Sequence, residues 1–378
     1  MPLAFNLSKE DFLPALNSLQ SITGKKGTMA VLSNILIQSQ DNFIELVATD
    51  LEVGIKKNVA AEIISPGSIT LPAKILYEIV RESGSDSIKI EEKDKNWARI
   101  KAGTASVYNL AGTSSEEFPD FPEYNEELLV SIPCELVKEL IEKTIFSVAQ
   151  ERESNYTLTG ILLEKEKNDE NKSFLRMVSS DGHRLSIMEK ELDAERDDIV
   201  IEKNTLIPRK GVSEIKKISE GQKNFYIGSD KKQLVVKTNN SLMIVRLMNG
   251  EFPDYRSIVN VIEKNNLIEI ERIGFLESLK RTNLFTEDTF NAIQLIVEEN
   301  KLILSSQNMD YGNAKDEMDI KYSGDNLELG FNCRYFIDTL QVMRSDTIKA
   351  YVNSDQSPCL IEGDDDPGFI SIIMPMKI

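Results

Sequence analysis

Residues 205–218 read TLIPRKGVSEIKKI, and residues 69–80 read ITLPAKILYEIV. Each runs from a short strand-like stretch through a proline into an amphipathic helix pattern. Pro72 and Pro208 stand 136 residues apart. A second pair of landmarks is EEFPDFPEY at 116–124 and EFPDYRSI at 251–258, which sets Phe118 and Phe252 134 residues apart. Two independent landmarks with nearly one offset identify an internal repeat. LELGFNCRYFIDTLQVM at 327–343 is a third, weaker copy. The units also share an opening: SKEDFLPALNSLQSI at 8–22, IPCELVKELIEKTIFSV at 132–148 and ERIGFLESLKRTNLF at 271–285.

In the second opening, Leu136, Val137, Leu140 and Ile141 recur at i and i+4 on one helix face. In the third, Leu276 and Leu279 do the same, and in the first the stripe is Phe12, Leu13, Leu16 and Leu19. Pro14 then predicts a helix that begins close to Asp11, because proline is tolerated in a first turn. Between the helices lie short alternating runs such as FIELVATD, SIKIEEK and KLILSSQ, punctuated by Gly, Asn, Asp and Ser. Each unit reads helix, several strands, helix, several strands. That predicts an α+β fold of three similar domains, each with two helices and antiparallel sheets, since hairpin-length links dominate. The expected domains are residues 1–127, 128–262 and 263–378.

Composition excludes several chemistries. The chain has 378 residues, 41% hydrophobic and 28% charged, as expected of a folded globular protein of two or three domains. The single histidine, His183, cannot build a multi-histidine metal site. Cys134, Cys333 and Cys359 are far apart and odd in number, which argues for buried small hydrophobes over a disulfide framework. No phosphate loop, dinucleotide fingerprint or nucleophile elbow is present. No cofactor and no metal is expected. No secretory leader and no apolar run of about 18 residues is found, so the cytoplasm is the expected location and no membrane is expected as a partner. A carboxylate-dependent hydrolase draws support only from the 62 acidic residues.

The net charge of −18 opposes bulk attraction to nucleic acid, but its distribution is uneven. The expected helices at 8–26, 72–83, 133–152, 208–219, 271–284 and 333–344 hold 17 basic and 12 acidic residues. Net-basic helices in so acidic a chain point to one shared positive surface.

At this point the residues resemble a known family, the bacterial DNA polymerase III beta subunit, or sliding clamp. The matching stretches are ATDLE (48–52), LPAK (71–74), SDGHRLS (180–186), IPRKGV (207–212), GEFPDYR (250–256), LGFNCRYFIDTL (329–340) and MPMKI (374–378). They span all three repeats. The resemblance implies a DNA clamp fold, in which two three-domain subunits form a closed dimeric ring. Helices would line a hole that encircles double-stranded DNA without sequence preference. It implies a non-enzymatic role, tethering the replicative DNA polymerase for processivity. It also implies that the polymerase, the clamp loader and repair proteins dock through short peptide motifs.

Carried over residue by residue, the resemblance implies DNA contacts at Lys26, Lys74, Arg152, Arg209 and Lys210. It implies a partner-peptide cleft of Leu158, Gly182, His183, Arg184, Leu185, Pro253, Ile258, Asn332, Tyr335, Ile372, Ile373, Met374, Pro375, Met376, Lys377 and Ile378. For the homodimer it implies Tyr108 and Leu110 facing Leu284 and Phe285 of a second copy. Ser257, Pro358, Lys377 and Ile378 depart from the family's commoner residues, so rim contacts shift while the apolar floor is kept. The alternative reading is a cytoplasmic peptide-binding scaffold of repeated α+β domains that does not encircle DNA. By residue type alone, ISIIMPMKI at 370–378 reads as a final core strand, and a lone histidine after Asp181-Gly182 reads as a surface turn.

Overall fold

The computed structural model describes residues 2–24, 29–150, 156–287 and 290–377. Among them one element order occurs three times. The first copy is β1 (Ala4–Ser8), α1 (Lys9–Gln20), β2 (Asn34–Ser39), β3 (Phe43–Thr49), β4 (Val53–Ala60), β5 (Glu62–Ser65), β6 (Ser68–Pro72), α2 (Ala73–Glu82), β7 (Ser87–Lys93), β8 (Trp97–Ala102) and β9 (Ser106–Ala111). The second is β10 (Val130–Pro133), α3 (Cys134–Glu142), β11 (Gly160–Lys167), β12 (Ser173–Ser180), β13 (Arg184–Glu191), β14 (Thr205–Pro208), α4 (Arg209–Ser219), β15 (Asn224–Ser229), β16 (Gln233–Lys237) and β17 (Ser241–Arg246). A short helix, α5 (Tyr255–Asn260), follows it. The third is β18 (Leu267–Glu271), α6 (Arg272–Asn283), β19 (Ala292–Glu298), β20 (Lys301–Asn308), β21 (Gly312–Asp319), β22 (Leu327–Asn332), α7 (Cys333–Val342), β23 (Thr347–Tyr351), β24 (Cys359–Gly363) and β25 (Phe369–Ile373).

Each copy builds two antiparallel half-sheets with the same strand order. The opening strand joins the three strands that follow the second helix: β1-β7-β8-β9, β10-β15-β16-β17 and β18-β23-β24-β25. The strand before the second helix joins the three that follow the first: β6-β2-β3-β4, β14-β11-β12-β13 and β22-β19-β20-β21. Among the described strands only β5 is extra, on the outer side of β1. Half-sheets of successive copies then fuse, β4 with β17 and β13 with β25, into two eight-stranded sheets. The expected α+β class with antiparallel pairing is the observed one.

Contacts divide the chain into two compact units. One holds Met1–Cys134, Asp198–Glu202 and Lys210–Leu247, and the other holds Glu135–Asp197, Lys203–Arg209 and Met248–Ile378. The expected cuts after residues 127 and 262 follow the repeat along the chain, whereas contact density follows the fused sheets.

The helices are shorter than expected. Helix α1 starts at Lys9, where the Ser8 hydroxyl accepts the Asp11 amide at 3.1 Å. Pro14 therefore lies in the second turn, not the first. It is exposed, and the carbonyl it leaves without a helical donor is that of Glu10, itself an exposed residue. Burial of Phe12, Ala15, Leu16 and Leu19 outweighs the roughly 3 kcal/mol that an interior proline costs. Helix α3 stops at Glu142, and Thr144 Oγ1 turns back to donate to the Leu140 carbonyl at 2.6 Å. In the second unit the ring of Phe336 packs edge-on against Phe275 and Phe331, with centroids 5.8 and 5.2 Å away. All three cysteines are buried.

Just beyond α3, the Lys143 side chain is 2% exposed and ion-paired with fully buried Asp366, from the β24–β25 hairpin. Asp366 also accepts the amides of Arg344 and Ser345 at 3.0 and 2.9 Å, and the Ser345 hydroxyl at 2.7 Å. Burial alone would push this carboxyl up. The lysine and the hydroxyl and amide donors outweigh it and hold the group below the ordinary aspartate range. A depressed folded-state value adds stability above the unfolded value, near 4, that is lost as pH falls through the folded one. Asp366→Asn leaves buried Lys143 with Glu139, 4.0 Å away and shared with Lys190, as its counter-charge, and should cost about 3–5 kcal/mol in denaturant unfolding at pH 7. The gap between variant and parent should narrow as the pH is lowered below about 4.

Candidate functional site

Two tight turns place the residues that matter most. In the second copy Asp181 Oδ1 accepts the amides of His183 and Arg184, both at 3.0 Å, and Gly182 sits at φ +87°. In the first copy Asp50 Oδ1 accepts the amides of Glu52 and Val53 at 3.0 and 2.8 Å, and Leu51 sits at φ +75°. ATDLE and SSDGH are therefore one repeated aspartate turn, a correspondence the sequence reading missed. Glycine relieves the left-handed strain at 182 that leucine bears at 51.

Beside the second turn lies an apolar cavity of about 130 Å3. Of the expected cleft residues it is lined by Leu158, Gly182, Arg184, Leu185, Pro253, Ile258, Ile372 and Met374. Three further lining residues, Ser180, Phe252 and Tyr255, were missed. The signal for two of them was present, because Phe252 and Tyr255 sit in the repeated EFPD stretch. The floor continues into a buried cluster that includes Leu162, Val178, Leu206 and Leu360. Phe118 has the matching place in the first copy, in a cluster with Val31, Leu36 and Val47 against which Phe121 packs.

The other expected cleft residues separate. Asn332 and Tyr335 line a polar recess of about 480 Å3, together with Arg184, Arg209, Asn291, Arg334 and Asp338. Asn332 also caps α7, its side-chain oxygen accepting the Arg334 amide at 2.9 Å. Met376 and Lys377 border an open groove beside β22. His183 is exposed at the turn and contributes its carbonyl. Ile373 is buried in strand β25 and does not line the cavity, because alternation sends Ile372 to the opposite face. Pro375 is half-buried in the tail, and Ile378 lies outside the described residues.

Arg184 is not a free rim cation. Its side chain is 9% exposed and donates to Asp181 at 2.9 Å, Asp338 at 2.7 Å and the Phe146 carbonyl at 2.6 Å. Its guanidinium also stacks 4.5 Å from the Tyr335 ring centroid. It is a partition between cavity and recess, fixed by internal pairing.

The C-terminal residues behave in two ways. Phe369–Ile373 is strand β25, paired on both sides with β13 and β24, as the plain reading of the residue types had it. From Met374 onward the chain leaves that ladder and becomes a strap. The Met374 amide donates to the His183 carbonyl at 2.9 Å, and the Met376 amide to the Gly330 carbonyl at 2.9 Å.

Of the expected DNA contacts, Lys26 and Arg152 lie outside the described residues. Lys74 is exposed at the second residue of α2. Arg209 and Lys210 open α4. The Lys210 ammonium is occupied, ion-paired with Asp50 and donating to the Ile22 carbonyl at 3.1 Å. Arg334 holds the same second position in α7 and was missed, although FNCR at 331–334 aligns with LPAK at 71–74 and IPRK at 207–210. The first turns of α2, α4 and α7 hold no acidic residue. Cations there oppose the helix dipole. Tyr108 and Leu110 lie on β9, half-buried, while Leu284 is 73% exposed at the end of α6 and Phe285 is half-buried. Among the described residues no group of three or more His, Cys, Asp or Glu could hold a metal, and no helix is long and apolar enough to cross a membrane.

The threefold β-α-βββ-β-α-βββ order defines a three-domain DNA clamp fold, and comparison with known proteins agrees. Family models of the DNA polymerase III beta subunit match in chain order: the N-terminal domain over residues 3–122, the central domain over 131–254 and the C-terminal domain over 262–377. A beta sliding clamp of Haemophilus influenzae is 29% identical over 384 residues, covering 100% of both chains. Solved sliding clamps from Bartonella birtlesii and Pseudomonas aeruginosa, both bound to griselimycin, superpose with TM-scores of 0.92 and 0.89 at 25% and 27% identity, each over 100% of both chains. The chain belongs to the DNA polymerase III beta subunit family, the sliding clamps.

The strap's geometry makes a testable statement. Deleting residues 374–378 removes Met374 from the cavity wall and two strap hydrogen bonds, but leaves the β25 ladder whole. The shortened chain should unfold within about 2 kcal/mol of the parent. In fluorescence anisotropy it should lose binding of apolar-anchored peptides.

Proposed function

We propose that two copies of this chain close head to tail into a ring around duplex DNA and tether a polymerase to it. The observation that carries this reading is the repeated fusion of half-sheets. The last strand of one half-sheet meets the third strand of the preceding copy's other half-sheet twice, as β17 with β4 and β25 with β13. Among the described strands two of that kind remain without such a partner, β9 and β21. An open strand edge is a template for pairing, and pairing β9 of each copy with β21 of the other closes a two-fold ring. Tyr108 and Leu110 on β9, with Leu284 and Phe285 after α6, then supply the apolar part of the joint.

The ring performs no bond chemistry. It raises the effective concentration of whatever it tethers. Weak, register-free phosphate contacts suit a clamp that slides. Lys74, Arg209 and Arg334, in first turns that lack acidic residues, support such contacts, since a helix N-terminus and a cation both favour a phosphate. Lys210 contributes less, being paired with Asp50.

The apolar cavity and its strap are read as the partner site for extended peptides from the polymerase, the clamp loader and repair proteins. Two relatives solved with griselimycin support a ligand site on the clamp. Two or three apolar anchors gain about 5–8 kcal/mol gross, and ordering the peptide removes part of this. Isolated peptides should bind at about micromolar strength or weaker.

Two measurements test the ring. Leu284→Glu with Phe285→Glu should convert the dimer to a monomer in analytical ultracentrifugation, and an unchanged dimer overturns the assigned joint. Loaded protein should stay on nicked circular DNA through gel filtration and slide off once the circle is cut. Equal loss from both forms would favour the scaffold reading.

A further inference from the structure

The outer wall of the cavity is carried by α5 and the residues before it, and something must set its distance from the floor. Tyr255 opens α5, is 4% exposed and lines the cavity. Its hydroxyl donates to Glu164 Oε2 at 2.7 Å and accepts from Arg176 Nη1 at 3.0 Å. Glu164, Arg176 and Glu189 are direct cross-strand partners on β11, β12 and β13. Arg176 also donates to Glu189 at 2.6 and 2.9 Å and to Glu166 at 2.5 Å. Arg256, the next residue of α5, donates to Glu164 at 3.0 Å, is ion-paired with Glu166 and lies 4.7 Å from the Tyr255 ring centroid. Burial and the Glu164 hydrogen bond push the phenol up, so it stays protonated.

The first copy supplies an internal comparison. EFPDF at 117–121 aligns with EFPDY at 251–255, so Phe121 stands where Tyr255 does. Phe121 has no hydroxyl, and Glu45 on β3 pairs instead with Lys56 at 3.1 Å. Lys56 lies 4.8 Å from the Phe121 ring centroid. In the first copy the ring is held by packing and by the Lys56 ammonium over its face, with no oxygen to tether. In the second, the same ring position is tethered by its oxygen to a charged row across three strands.

We propose that Arg176 and Glu164 are positioning residues for the partner cavity: they hold the Tyr255 hydroxyl and so fix α5, with Pro253 and Ile258, at the spacing an apolar peptide anchor needs. The inference rests on reading the cavity as the peptide site. The hydroxyl's proton and lone pair are both engaged, so the row fixes a direction as well as a distance. None of Glu164, Glu166, Arg176 and Glu189 lines the cavity, and peptide specificity stays apolar.

The experiment uses the full-length protein and a fluorescein-labelled heptapeptide with two leucines and a phenylalanine between polar residues. Tyr255→Phe keeps the ring and removes one oxygen atom. It should weaken peptide binding about five- to twentyfold, mainly through faster dissociation. Arg176→Met should act similarly, and Arg176→Lys should recover part of the loss by reaching one carboxylate. A double-mutant cycle separates positioning from general loosening. If the hydroxyl acts by placing Ile258, Tyr255→Phe and Ile258→Ala must be strongly non-additive. Additive effects, or unchanged affinity in Tyr255→Phe, overturn the proposal. No binding by the parent protein would instead remove the peptide-site reading itself. Should Arg176→Met fail to fold, Tyr255→Phe and its cycle decide alone.

Discussion

An open β-strand edge is the constraint on which this structure depends. Each half-sheet ends in backbone donors and acceptors that must pair or face water. Repetition of one unit supplies the partner. The strand that ends one half-sheet is complementary to a strand of the preceding copy, and two eight-stranded sheets result. The same order leaves β9 and β21 as sheet ends, the two edges that the proposed ring would pair.

Side chains then secure the joins with buried polar groups, each of them paired. Lys143 and Asp366 come from the second and third copies, and Asp366 takes amides from Arg344 and Ser345 as well. Arg184 joins β13 to α7 through Asp338 and holds its own turn through Asp181. Leaving either cation without its acid would cost several kcal/mol, so these contacts specify one arrangement of the elements they join. The apolar cavity lies against this rigid frame. Its floor is core, and its outer wall is a short helix held by Tyr255.

The tail divides at one residue. Through Ile373 it is a central strand with partners on both sides, and from Met374 it is a strap with one backbone bond to each of two neighbours. A methionine and a proline at the change of role suit it, since proline cannot donate to a ladder and a thioether adapts to different ligands.

Much of this was legible in the residues. The repeat, the two helices per unit, the antiparallel class and the aromatic anchors Phe118 and Phe252 follow from periodicity and spacing, because these are local patterns repeated in one chain. The resemblance located most of the cavity's lining. What the sequence could not yield were partnerships over long separations. Lys210 meets Asp50, Arg184 meets Asp338, and Arg176 meets Tyr255, 160, 154 and 79 residues apart. By residue type each was an available surface group; the fold made each an internal one. The resemblance marks Asn332 as a cleft residue, and in the fold it caps α7. The linear pattern determined which elements form and which face each buries. Only the tertiary structure decided which charges remain available to a ligand, because that depends on which distant acid the folded sheet brings within hydrogen-bonding distance.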